Sequence, residues 1–320
     1  INSKSQLEKR HNANYVLFNK GEAMFRCFLK FLITTLVLFV LVSCGESSDK
    51  NVVDVVAKDF RFEVTDSITS GWTSFRLKNM GHSDHFFLLS LLPDSITFED
   101  YLNEVSRPFD IVFDSLKAGS SKEDAINLLV QLVPSWYFTS VKQMGGTGII
   151  DAGKTAQITM NLVPGTYVME CYIKEQGVFH TALGMINPVT VTNEISDMQP
   201  PEANVDIFLT NDAITAEGEI ESGFNTFAVH FKEHPEAGLG NDVHLVKINS
   251  ATDLNEVLTW MDWTNIKGLE PPAPAEFLGG SQEMPVGYTS YFTVNLKPGN
   301  YALVNEAAMR EGNVLELSVN

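Results

Sequence analysis

The sequence has few cysteines and few basic residues for its length of 320 residues. Cys27, Cys44 and Cys171 are its only cysteines, so it contains no disulfide framework and each cysteine needs a separate explanation. Lysine and arginine total 22 against 40 aspartate and glutamate residues, which gives a formal net charge of -18. Such a chain repels phosphate backbones, and we therefore expect no nucleic-acid partner.

The N-terminal part lacks an apolar run long enough to span a membrane comfortably. Residues 31–42 are mainly apolar, whereas a membrane helix needs roughly 20 apolar residues. Arg26 and Lys30 precede this run, and a basic start before a short apolar run is typical of a secretory signal. We predict a signal peptide at residues 24–43. Residues 1–23 lack signal character, and we interpret them as an upstream segment that is not part of the protein.

The end of this apolar run carries a second signal. Leu41-Val42-Ser43-Cys44 resembles the lipobox of bacterial lipoproteins. The resemblance implies that Cys44 is acylated and becomes the new N-terminus, with residues 44–51 as a polar tether. The protein would then be lipid-anchored to a membrane of the bacterial cell envelope, on its periplasmic or outer-membrane face. An uncleaved N-terminal membrane anchor is the alternative.

Beyond the tether the sequence repeats itself. The segment from Ile158 to Tyr167, ITMNLVPGTY, matches the segment from Phe292 to Tyr301, FTVNLKPGNY. Apolar residues alternate in both segments and Pro-Gly supplies a turn, which predicts strand, turn, strand. We predict an all-β fold of two tandem Greek-key β-sandwiches. The first repeat comprises residues 52–196, the linker residues 197–203 and the second repeat residues 204–320.

The first repeat departs from the strand pattern over residues 96–140. This segment has helical character, with Ser120 or Ser121 as an N-cap and with Glu123 and Asp124 in the first turn that follows. We therefore predict a helical insertion at residues 96–140 within the first sandwich.

One group of residues in the first repeat points to a metal. Cys171 is followed after eight residues by His180 and after four more by Met185, and His85 begins an alternating apolar segment upstream. This pattern resembles the cupredoxins, the blue-copper family. The resemblance implies that His85, Cys171 and His180 bind one type 1 copper ion with Met185 as the axial ligand. It also implies single-electron transfer or copper handling as the function.

The residue types suit that chemistry, although each has a simpler explanation. A soft thiolate with two imidazoles and a weak thioether gives copper a geometry that both oxidation states accept. Taken singly, Cys171 and Met185 could be core residues and His85 a hydrogen-bonded histidine at a strand end. The alternative function is then a metal-free tandem β-sandwich lipoprotein that serves as a protein-binding or glycan-binding scaffold.

The second repeat lacks the same set. Asn305 stands at the position of Cys171, His244 at the position of His85, and no second histidine follows. We therefore predict a second cupredoxin-like domain without copper ligands. The sequence also contains no His-x-His pair, which multicopper enzymes of similar fold require, so we predict that the protein is not an enzyme. Its acidic balance favours a basic redox partner protein.

Overall fold

The structure is a computed structural model that describes residues 52–236, 239–306 and 313–320. The predicted upstream segment, the signal peptide and the whole tether, including the lipidated Cys44, lie outside the described residues. Within the described ranges, no helix is long and apolar enough to cross a membrane.

The first repeat contains ten strands, most of them short. They are β1 (Val52–Lys58), β2 (Arg61–Glu63), β3 (Ser67–Asn79), β4 (Leu88–Leu91), β5 (Lys142–Gln143), β6 (Thr155–Leu162), β7 (Gly165–Glu170), β8 (Lys174–Glu175), β9 (Val178–Phe179) and β10 (Ile186–Ile195). The long strand β3 belongs to both layers, because residues 67–70 pair with β10 while residues 71–78 pair with β6.

The described part of the second repeat contains eight strands. They are β11 (Val205–Leu209), β12 (Ile214–Gly218), β13 (Gly223–Phe231), β14 (Val243–Ile248), β15 (Glu276–Ser281), β16 (Thr289–Leu296), β17 (Gly299–Val304) and β18 (Val314–Val319). The segment between β10 and β11, where the linker is predicted, has no regular secondary structure.

The strand pairing of the first repeat recurs in the second. The parallel pair β1–β3 corresponds to β11–β13, and the antiparallel pair β3–β6 corresponds to β13–β16. On the other layer, β4 pairs with β5 and β7 as β14 pairs with β15 and β17. The internal repeat seen in the sequence is therefore also a repeat of topology.

The two repeats share one continuous sheet. Strand β16 of the second repeat pairs antiparallel with β6 of the first, so that Phe292 lies opposite Ile158. This contact joins the strands into a sheet of 12 strands, and a separate sheet of four strands has the order β15-β14-β17-β18. Apolar side chains of both repeats merge into one core, in which Phe227 and Phe292 stack with ring centroids 4.7 Å apart.

The helical insertion is confirmed as a feature of a mostly β structure. It consists of α1 (Phe98–Tyr101), a π-helical turn (Leu102–Ser106), α2 (Arg107–Lys117), α3 (Lys122–Leu132) and α4 (Ser135–Ser140). Of the two predicted N-cap residues it is Ser121 that caps α3, since its side chain accepts a hydrogen bond from the backbone N–H of Asp124 at 3.1 Å. A further helix, α5 (Leu254–Met261), lies in the second repeat.

Equivalent tyrosines brace the two Pro-Gly turns. The hydroxyl of Tyr167 donates to the carbonyl of Val163 at 2.8 Å, and the hydroxyl of Tyr301 donates to the carbonyl of Lys297 at 2.8 Å. Both tyrosines are buried. Loss of a partly buried hydrogen bond costs free energy, so these bonds fix the start of β7 and of β17.

We expect Tyr167→Phe and Tyr301→Phe each to lower the free energy of unfolding by about 1 kcal/mol, because each leaves a carbonyl without its partner. Urea unfolding followed by circular dichroism measures the change. Tyr291→Phe is the matched control, since Tyr291 is only partly buried on β16 and its ring contact with Trp72 is kept. Equal stability of all three variants would contradict the bracing role.

Candidate metal centre

Two separate parts of the first repeat position the predicted ligands. His85 lies three residues before β4, and its backbone exchanges two hydrogen bonds with Ile150, at 3.0 and 2.9 Å. Cys171 directly follows β7, which pairs with β4. The pairing of β4 with β7 therefore brings residues 86 positions apart into contact.

The segment after Cys171 folds back on itself. The backbone N–H of His180 donates to the carbonyl of Ile173 at 2.7 Å, and that of Met185 donates to the carbonyl of His180 at 2.8 Å. The N–H of Cys171 donates in turn to the carbonyl of Met185 at 3.2 Å. Met185 is fully buried, and its backbone is hydrogen-bonded to both His180 and Cys171. These bonds hold the three predicted ligand residues of the loop close together.

The donor atoms of the two histidines and the cysteine converge. The Sγ atom of Cys171 lies 3.9 Å from Nδ1 of His85 and 3.8 Å from Nδ1 of His180. The three residues are fully buried, and one donor atom from each lies within 4.8 Å of the others. The two imidazole rings are 5.0 Å apart between centroids.

These distances fit a metal bound between the donors. Bonds of about 2.0–2.1 Å to nitrogen and about 2.3 Å to sulfur, as zinc makes, place the two donors roughly 3.7–3.8 Å apart at an angle of about 120°. The observed separations of 3.9 and 3.8 Å are of this size, so one ion could contact the sulfur and both nitrogens. Two imidazoles, one thiolate and a weak methionine are the donor set of blue-copper sites. The buried cluster matches a type 1 copper site.

Neither imidazole has another hydrogen-bonding role among the described residues. The Nε2 atoms of His85 and His180 are buried without a partner, and the only polar neighbour of each Nδ1 is the sulfur of Cys171. Buried polar groups without partners are rare and require an explanation. A bound metal ion would explain why two such rings face one thiol.

Burial keeps the three donors neutral in the absence of a metal. It lowers the pKa of His85 to about 4 and that of His180 to about 3, and it raises the pKa of the Cys171 thiol to about 12. The imidazoles are thus ready to bind a metal at neutral pH, whereas the thiol must first lose its proton. Backbone hydrogen bonds from Phe86 and Ile173 act in the opposite direction and lower the pKa of the thiol, although burial outweighs them.

Sequence reasoning missed two residues that pack on the imidazoles. A Cβ atom on Gly81 would lie 2.7 Å from Nε2 of His85 and 2.8 Å from Oδ1 of Asp59, so only glycine fits there. Phe60 contacts His180 edge to face, with centroids 5.1 Å apart, and has a positive φ of 62°. The sequence signal for Gly81 was its position four residues before the predicted ligand His85. No feature of the sequence indicates the role of Phe60.

His82, the other histidine in this region, is not part of the cluster. Its side chain is 61% exposed and its Nδ1 lies 2.8 Å from Oδ1 of Asp59. The Asp59 carboxylate raises the pKa of His82. This histidine forms a surface ion pair beside the centre instead of a fourth nitrogen ligand.

The second repeat brings a different set of residues together. Asp242, His244 and Glu306 have potential donor atoms within 4.8 Å of one another. However, the backbone N–H of Ile149 donates to Nδ1 of His244 at 3.1 Å, and Nε2 lies 2.9 Å from Oδ2 of Asp242. Nδ1 is therefore the acceptor and Nε2 carries the proton, which leaves His244 no lone pair for a metal. Asn305 bonds to Asn241 at 2.8 Å and supplies no thiolate.

Comparison with known proteins gives matches among solved structures. No family model and no curated protein matches the sequence. The chain is similar to a dithionite-reduced auracyanin from Roseiflexus castenholzii, with 17% identity, a TM-score of 0.27, and coverage of 44% of this chain and 97% of that chain. It is also similar to auracyanin A from Chloroflexus aurantiacus, described as a "blue" copper protein, with 17% identity, a TM-score of 0.27, and coverage of 44% and 98%.

A third similar structure is an azurin from Methylomonas sp. strain J, with 14% identity, a TM-score of 0.25, and coverage of 45% of this chain and 98% of that chain. Each alignment covers less than half of this chain.

We expect Gly81→Ala to weaken copper binding by roughly 10- to 100-fold, because the added methyl group displaces the His85 ring or Asp59 beside it. Competition against a copper chelator measures the affinity. Met80→Ala is the control, since Met80 lies in the same loop and is 55% exposed. An unchanged affinity of the Gly81→Ala protein would show that the close contact does not position His85.

Proposed function

We propose that the first repeat binds one type 1 copper ion through His85, Cys171, His180 and Met185 and transfers single electrons. The observation that supports this most directly is the position of the Cys171 sulfur, 3.8 and 3.9 Å from the two Nδ1 atoms. Copper, when bound, supplies the one-electron couple. The chain supplies a fixed set of donors with a soft thiolate and a weak thioether, which suits both oxidation states.

The rigidity of the donor set favours electron transfer over copper delivery. The donors are fully buried, and backbone hydrogen bonds tie each ligand segment to its neighbours. A site that need not rearrange between oxidation states can exchange an electron with little reorganisation. Release of the ion to another protein would instead require these buried groups to open.

The competing functions have less support. A metal-free scaffold gives no role to two buried imidazoles that face one thiol and whose Nε2 atoms have no partner among the described residues. Catalysis at a multicopper site would need further histidines, yet Cys171 is flanked by Glu170 and Tyr172 and the sequence has no His-x-His pair.

We further propose that the protein is held at the cell envelope. The supporting observation is the sequence Leu41-Val42-Ser43-Cys44 after a short apolar run, which resembles a lipobox. Acylation of Cys44 would fix the protein to the membrane through its N-terminus. Residues beyond 43 include 16 basic and 38 acidic ones, and this acidic balance favours a basic redox partner through electrostatic steering.

Addition of copper(II) to the purified protein should produce an intense visible band from thiolate-to-copper charge transfer, and reduction should remove it. Cys171→Ser should abolish this band, because serine provides no thiolate. Absorption spectroscopy with metal analysis measures both the band and the stoichiometry.

Two control variants test whether the visible band depends on the proposed copper ligands and not on other residues. Cys44→Ser should keep the band, since Cys44 is assigned to the lipid, and replacement of Asn305 by Ser should also keep it. A colourless wild-type protein that holds no stoichiometric copper would refute the proposed function. A band that survives Cys171→Ser would refute the assigned thiolate.

The anchor is tested by expression of the full chain in a bacterium that is fed a labelled fatty acid. The wild-type protein should take up the label and partition with membranes, whereas Cys44→Ser should be unlabelled and should not partition through a lipid. Cys27→Ser is the control and should behave as wild type. Label that persists in Cys44→Ser would rule out Cys44 as the acylated residue.

A further inference from the structure

A second site is indicated where three parts of the chain meet. A cavity of about 90 Å³ lies between the helical insertion, the first repeat and the second repeat. Tyr101 and Phe109 face it from the insertion, Glu170 from β7, and Gln282 and Glu306 from the second repeat. We call this space the junction cavity. No single repeat could form it alone.

The junction cavity is acidic and has no basic wall. Four carboxyl groups line it, and none of its described lining residues is lysine, arginine or histidine. The carboxyl residues are Glu170, Asp242, Glu283 and Glu306. The lysine that acts on one of them, Lys174, lies outside the lining and lowers the pKa of Glu306.

Neutral donors hold three of these carboxyl groups in place. The hydroxyl of Tyr101 donates to Glu170 at 2.8 Å and that of Tyr172 donates to Glu306 at 3.1 Å. The backbone N–H of Gly240 donates to Glu283 at 2.9 Å. These bonds orient the carboxyl groups and bring no positive charge to them.

Burial makes Glu283 and Glu306 hold their protons more tightly than usual. Burial raises the pKa of Glu283 to about 7. Burial and the nearby Asp242 carboxyl raise the pKa of Glu306 as well. A cation that enters the cavity would favour the ionised carboxylates and lower these pKa values.

Two buried polar atoms at the junction cavity have no partner among the described residues. They are Oε1 of Glu306 and Nε2 of Gln282. The Gln282 residue is only 2% exposed, so solvent outside the protein does not satisfy its amide. A buried donor and a buried acceptor left unpaired at the same cavity indicate that a bound molecule completes their hydrogen bonds.

We propose that the junction cavity binds a small organic ammonium compound. The ammonium group would donate to Glu306 and face the other carboxyl groups, and a polar atom of the ligand would accept from Gln282. Aromatic rings in the wall, among them Phe109 and Trp263, suit an organic cation. The ligand must be small, because a protein cavity that binds benzene has a volume of about 150 Å³.

The spacing of the carboxyl groups argues against a bare metal ion. Among the described residues, Glu306 groups at metal-binding distance with Asp242 and His244, and neither Glu170 nor Glu283 joins that group. His244 carries its proton on Nε2 and has no free lone pair, as shown above. An extended ligand can reach separated carboxyl groups that one ion cannot bridge.

Isothermal titration calorimetry of the full chain tests this site with 2-aminoethanol as the probe. We expect saturable binding, and binding of the uncharged ethane-1,2-diol at least about tenfold weaker, because hydrogen bonds to charged groups are worth that factor or more. Glu306→Gln keeps the size of the side chain and should weaken 2-aminoethanol binding by about tenfold or more. Gln282→Leu should also weaken it, by a smaller factor.

Glu217→Gln is the matched control, since Glu217 is exposed on β12 and lies outside the cavity. It should bind 2-aminoethanol as the wild type does. Circular dichroism of each variant confirms that weakened binding reflects the site and not loss of the fold.

Three outcomes would overturn the proposal. They are the absence of saturable binding to the wild type, equal binding of the diol and the amine, and equal weakening by Glu217→Gln. Saturable magnesium binding that Glu306→Gln abolishes, with no binding of the amine, would assign the cavity to a metal instead. None of these results depends on copper, so the two proposals fail or succeed separately.

Discussion

The contact of one buried thiol with two buried imidazoles is the constraint on which the proposed function depends. Cys171 meets His85 and His180 at 3.9 and 3.8 Å, and neither ring has another hydrogen bond among the described residues. Burial of such groups without partners costs free energy, so the arrangement is stable only because the surrounding backbone bonds hold it. A metal ion would offset this cost, since it would bind the thiolate together with both imidazoles.

The second repeat has similar strand pairing but lacks the group of one thiol and two imidazoles. Its strands pair as those of the first repeat do, and the Tyr301 hydroxyl braces its Pro-Gly turn as Tyr167 does. At the position of the thiol, however, Asn305 joins a hydrogen-bond network, and His244 is fixed between Ile149 and Asp242. The polar groups of Asn305 and His244 are thus paired within the protein itself, which is the expected behaviour of structural residues.

The helical insertion and the second repeat give the molecule a feature that one sandwich does not provide. The first repeat meets both of them around the junction cavity, where tyrosine hydroxyls orient carboxyl groups. Glu170 lines this cavity and Cys171 is its neighbour in the chain, so the end of β7 contributes to both proposed sites. Residues on opposite faces of one strand end can thus serve two separate chemistries.

Local features of this protein can be predicted from its amino-acid sequence. Alternation around the Pro-Gly turns predicted the strands, Ser120 or Ser121 as an N-cap predicted the start of α3, and the close spacing of Cys171, His180 and Met185 placed three ligands in one loop. The pairing of β6 with β16, the fit of Gly81 against His85, the tautomer of His244 and the junction cavity became visible in the folded structure alone. Each of these depends on contacts between distant segments, and periodicity within a short window contains no information about them.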